Sequence, residues 1–150
     1  APPATLEGGD VLVVGDRIAV GRSRRTNEAG MAALATAAAP LGYTVEPVDV
    51  PSWALHLSTA ATVVGDELVI GDASVLAQDA FRDLERIVVP DDQRFACNVW
   101  SVGRFVIAAG SHPIHAELER RGYGVHGTDL SEFNRADGSP TCLSMLVREP

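Results

Sequence analysis

The chain has 150 residues, 46% hydrophobic and 21% charged, with a formal net charge of −8, which describes one ordinary water-soluble domain with enough apolar material for a core. All 12 basic residues are arginine, so a phosphate-loop lysine, a Schiff-base lysine and a lysine general base are excluded. The acidic balance argues against a nucleic-acid partner, whose phosphates need clustered cations, and fits a small cationic substrate better.

No apolar stretch approaches the roughly 20 residues that cross a membrane. The opening "APPATLEGGD" lacks the basic start and apolar centre of a signal peptide. Two cysteines are too few for a disulfide framework, so a cytoplasmic protein with reduced thiols is expected.

Taken in order, the predicted elements repeat. "VVGDRIAVG" at 13–21 reads as a β-hairpin, "TNEAGMAALATAAAPLG" at 26–42 as a helix, and "GYTVEPVDV" at 42–50 as a closing strand. The hairpin returns as "VVGDELVIG" at 63–71. A helix over 72–84 follows, with Asp72 as its N-cap, and "RIVVPDD" closes that unit. The third copy is "SVGRFVIAAG" at 101–110, then a helix over 112–122 whose Pro113 suits the first turn, then "GYGVHGTDL" at 122–130. The apolar run from Cys142 to Val147 reads as one more short strand. The implied fold class is α/β, three ββαβ modules over about 7–55, 56–95 and 96–150.

Repeats of this kind stack because no single module buries its own apolar face. Around a pseudo-symmetry axis their connecting segments converge, and the polar residues there are Glu7, Asp10, His56, Asn98 and Cys142. Read on its own, a lone cysteine is either a nucleophile or a small buried hydrophobe. His56 is either a proton carrier or a histidine at a strand edge. His112 and His115, spaced i, i+3, have no carboxylate or cysteine beside them to complete a metal site, and His126 reads as loop. "GYGVHG" matches a dinucleotide fingerprint but lies between a helix and a strand, the wrong context. There is no G-x-S-x-G serine motif.

Five motifs in order, "LEGGDVLVVGD", "GRSRRTNEAG", "LHLSTA", "VPDD" with "ACNVW", and "SEFNRADGSPTCLSM", resemble the pentein, or guanidino-group modifying, superfamily. Within it the chain is most similar to the dimethylarginine dimethylaminohydrolase family, over nearly its whole length. The resemblance implies an α/β propeller of five modules, of which these would be the last three. It also implies hydrolysis of N-methylated arginine to citrulline and a methylamine through a covalent cysteine adduct. Cys142 would be the nucleophile, His56 the proton carrier and Glu7 the carboxylate that orients the guanidinium. Arg25 would hold the substrate's α-carboxylate, the carbonyls of Ala136 and Asp137 would accept its N–H groups, and no metal or cofactor is called for.

On the same reading Cys97 is packing, Asp10 closes its own turn through backbone bonds, and Arg22 and Arg24 face solvent. Arginine deiminases and amidinotransferases carry an aspartate two residues after the histidine, where Ser58 stands here, so the methylarginine reading leads and those two are the alternatives. A reading of another class is a truncated binding or assembly module, or one fragment of a split enzyme. The implied partners are a methylated arginine and either a second chain supplying about two N-terminal modules or a further copy of this one.

Overall fold

The computed structural model describes residues 3–145 and 147. Within them the repeat becomes three three-stranded sheets with one topology. Strands β1 (Val11–Val14) and β2 (Arg17–Arg22) pair antiparallel, and β3 (Thr44–Asp49) joins β2 in parallel. The pattern recurs in β4 (Ala61–Val64), β5 (Leu68–Gly71) and β6 (Glu85–Val88), and again in β7 (Val99–Val102), β8 (Phe105–Ala109) and β9 (Gly124–Thr128).

Local chemistry explains the repeat. Val14 faces Arg17 and Val102 faces Phe105, so two-residue turns join those hairpins, with Gly15 (φ 59°) and Gly103 (φ 56°) supplying the left-handed backbone that tight hairpins need. A parallel partner then requires a crossover. In the first unit this is α1 (Glu28–Ala38), opened by Asn27, whose side chain accepts from the Gly30 N–H. In the third it is α4 (Pro113–Arg120), which opens on Pro113 as the sequence predicts.

The second crossover is shorter than predicted. Asp72 caps α3 (Ala73–Leu76), but the chain leaves the helix at Gln78 and resumes only as a 3-10 turn over Asp79–Phe81. The Gln78 amide explains the break: it accepts from the Asp49 N–H and donates to the Asp49 carbonyl, a paired bond to β3 that an uninterrupted helix would forgo.

The predicted final strand is also absent among the described residues. Pro140–Leu143 form a 3-10 turn, closed by Cys142 N–H on the Ser139 carbonyl and by the Ser144 hydroxyl on the Pro140 carbonyl. These local bonds satisfy the backbone without a ladder. Residues 144, 145 and 147 take no regular structure, and Leu146 lies outside the described residues. His126, read as loop, stands in β9 opposite Ile107.

The core lies between units. Val14, Ala19 and Val48 of the first pack with Leu57, Ala61, Val69 and Phe81 of the second. Val64, Ile70 and Ile87 of the second pack with Val99, Val106 and Leu118 of the third. Every residue of β5 is buried, as expected for the strand central to this stack. Two one-turn helices complete the description, α2 (Leu57–Ala60) after His56 and α5 (Ser131–Asn134) ahead of the Cys142 turn.

Candidate active site

The segments between sheets carry the polar residues. Glu7 precedes a 3-10 turn over Gly8–Asp10, and His56 stands at the N-terminus of α2. Although 49 positions separate them, His56 Nε2 lies 3.0 Å from Glu7 Oε2. The other Glu7 oxygen, Oε1, accepts from Arg25 Nη1 at 3.1 Å. Contact with His56 and then the charge of Arg25 hold the Glu7 carboxyl below the usual carboxylate range, against the opposing effect of its partial desolvation. His56 is largely buried while Arg25 is half exposed, so the imidazole is fixed and the guanidinium is free to exchange partners.

Asp10 holds this arrangement together. Fully buried, it accepts from Ser23 Oγ at 2.6 Å, Thr26 Oγ1 at 2.7 Å and the Leu57 N–H at 3.0 Å. Thr26 Oγ1 in turn accepts from the Glu7 N–H at 3.0 Å. The expected role was closure of its own turn. Asp10 instead ties the loop bearing Arg25 to the residue after His56, because a buried carboxylate needs donors and its own turn offers none. Two glycines make room. A Cβ on Gly9 would sit 2.8 Å from His56 Cγ, and one on Gly21 would sit 2.9 Å from Asp10 Oδ1. The sequence signal for Ser23 and Thr26 was only their place beside Arg25.

Cys142 is exposed on its 3-10 turn. Asn98 connects that turn to α2: Nδ2 donates to the Ser58 carbonyl at 2.6 Å and to Thr141 Oγ1 at 2.7 Å, and Oδ1 accepts from the Thr141 N–H at 3.1 Å. The other thiol is of a different kind. Burial, with the Asp72 charge adding to it, pushes Cys97 up to about 12, so it stays protonated and unreactive.

Asp137 has φ 57°, the only non-glycine residue with positive φ among those described, and it follows the end of α5, where Gly138 N–H bonds back to the Phe133 carbonyl. It lines a cleft of about 500 Å³ together with Arg22, Arg24, Arg25 and Trp53. Ala136 is exposed one residue earlier, outside that lining. Arg22 faces solvent as expected, where it also pairs with Glu28 at 2.7 Å and Asp49 at 3.2 Å. His112 and His115 meet edge to face with ring centroids 6.0 Å apart. No group of three potential metal ligands occurs among the described residues.

Repeated ββαβ units of one topology define the pentein fold. A solved cysteine-to-serine mutant of dimethylarginine dimethylaminohydrolase from Pseudomonas aeruginosa, complexed with citrulline, has the same fold, with TM-score 0.85 and 28% identity over 92% of this chain and 54% of that one. The family model described as arginine deiminase matches residues 1–101, and the chain belongs to that family.

Among curated proteins it is 40% identical to N(G),N(G)-dimethylarginine dimethylaminohydrolase of Streptomyces coelicolor, over 98% of this chain. It is 28% identical to the protein of that name from Pseudomonas aeruginosa, over 95%. The chain spans 56% of the length of each.

Proposed function

We propose that this chain carries the catalytic residues of a hydrolase that converts N-methylated arginine and water to citrulline and a methylamine. The single observation that carries this reading is the Glu7–His56 contact at 3.0 Å, a carboxylate and an imidazole from distant segments. The names of the two curated relatives and the citrulline in the structural neighbour support it.

On this reading the planar N–H edge of the guanidinium pairs with Glu7. The Cys142 thiolate attacks the guanidinium carbon and forms a C–S bond. His56 gives a proton to the substituted nitrogen, the C–N bond breaks and the methylamine departs. His56 then takes a proton from water as its oxygen adds to the same carbon, and the C–S bond breaks to release citrulline and restore the thiolate.

Arg25 receives the substrate's α-carboxylate, and the carbonyls of Ala136 and Asp137 accept its N–H groups. Arg25 bonds Glu7 in the structure described here, so substrate entry exchanges ion pairs: carboxylate for Glu7 on Arg25, guanidinium for Arg25 on Glu7. No charge is left unpaired at either step.

The test is Cys142→Ser in a polypeptide comprising this chain and the remaining length of its relatives. Citrulline formation should fall to background with an unchanged far-UV spectrum, and retained turnover overturns the assignment. A second reading, arginine deimination, is favoured by the description of the family model. Ser58 argues for the first, because a pocket without a second carboxylate rewards methyl burial, about 0.8 kcal/mol per group, over a further hydrogen bond. Initial rates with arginine, monomethylarginine and dimethylarginine separate the two, and a preference for arginine establishes the second.

A further inference from the structure

We infer that Asn98 is a positioning residue that sets the separation of Cys142 and His56. The inference rests on the reading of those two as nucleophile and proton carrier. Asn98 is 1% exposed and its amide is fully used. Its orientation is dictated by its partners: the Ser58 carbonyl can only accept, so Nδ2 faces it, and the Thr141 N–H can only donate, so Oδ1 faces that.

One rigid amide plane therefore grips the backbone two residues after His56 and one residue before Cys142, although these segments lie 40 and 43 positions away along the chain. Among the described residues, the hydrogen bonds that leave the Cys142 turn run to Asn98; the turn's remaining bonds, Cys142 N–H on Ser139 and Ser144 Oγ on Pro140, are internal. The turn also packs on β7 and β8, but apolar packing is not directional. Asparagine is the residue suited to this place. It is short, planar, and both donor and acceptor; aspartate would lose both donated bonds, and alanine would leave a part-buried carbonyl and a part-buried N–H without their partner.

The test is the rate of Cys142 alkylation by iodoacetamide across pH, measured on this chain. Buried Cys97 stays silent in the folded protein. His56→Ala should slow alkylation of Cys142 at pH 7, since on this reading His56 is the thiol's proton partner. Asn98→Ala should slow it likewise, by about 10-fold or more at pH 7. Thr62→Val is the control for fold damage: Thr62 Oγ1 bonds the Cys97 carbonyl and the Val99 N–H, the neighbours of Asn98 on either side, and has no part in the site. It should leave the profile unchanged.

Where Asn98→Ala does not fold, Thr141→Val removes one of the three bonds at constant shape and should slow alkylation by a smaller factor. A His56-dependent profile in the parent chain that persists in the folded Asn98→Ala protein, or in Thr141→Val where that variant stands in, overturns the inference alone. A parent profile that matches a free thiol and ignores His56→Ala overturns the reading of the site and the inference with it.

Discussion

At the scale of single residues, the site depends on atoms that are missing as much as on those present. Gly9 is not in the left-handed region, so alanine would fit its backbone, yet the new Cβ would fall within 2.8 Å of the imidazole. Gly9→Ala should therefore push His56 off Glu7 and cost stability as well, because the clash falls at the base of the side chain. A 10- to 100-fold fall in kcat/KM is expected, the usual effect of moving a catalytic group by about 1 Å, with a lower urea midpoint. The two thiols make a second pair of expectations. Cys97 keeps its proton to about pH 12 in the folded chain, whereas an unfolded thiol ionises from its ordinary value of 9.0. Between those values the unfolded state binds fewer protons, so stability should decline as pH rises through that window and show no such decline below it. Denaturant titrations at several alkaline pH values check the sign, and Cys97→Ala should flatten the slope.

At the scale of elements, the three crossovers show how one topology is met by unequal sequences. The α1 segment is rich in alanine and runs for 11 residues, while α3 is a single turn held at one end by Asp72, which accepts from the Ser74 N–H at 2.8 Å. So short a helix has little propagation to sustain it, and the cap carries a large share. Asp72→Ala should cost about 1 kcal/mol, read as a lower urea midpoint. Gln78→Ala should add to this, because its amide is what fastens the second crossover to β3. Length and Pro113 made the first and third helices readable. The second misled because helical spacing of apolar residues says nothing about a glutamine that finds a better partner 29 positions away.

At the scale of the whole molecule, the repeated units bury apolar surface against their neighbours, while Ile18, Val20, Met31 and Ala38 form a further buried cluster inside the first unit. Val13, Leu143, Met145 and Val147 are exposed, Met145 at 84%, whereas Val14 is covered by the second unit. Since the chain spans 56% of its curated relatives, our proposal is that further polypeptide, continuous with this chain or separate, covers those exposed residues and completes the guanidinium pocket. The 150-residue chain alone should turn over methylarginine poorly. Adding the remaining portion of a relative in cis or in trans should raise kcat/KM by orders of magnitude and quench binding of a hydrophobic dye. Full activity from a monomer of this chain would overturn the proposal.

The sequence by itself determined the three hairpins, the first and third crossover helices and the strand that closes each unit, because hairpin glycines, helix caps and alternating apolar residues act over a few positions. Motif resemblance also pointed to Glu7, His56, Arg25 and Cys142 as one site, and the structure joins the first three through Glu7. Only the tertiary structure decided how they are held. Asp10 became a bridge between loops, Asn98 acquired three partners, and the turn at Cys142 closed on itself rather than extending. Each of these rests on a hydrogen bond between groups far apart in the chain or on a local bond that competes with one, and a donor's choice among acceptors depends on distance in space, which residue spacing does not encode.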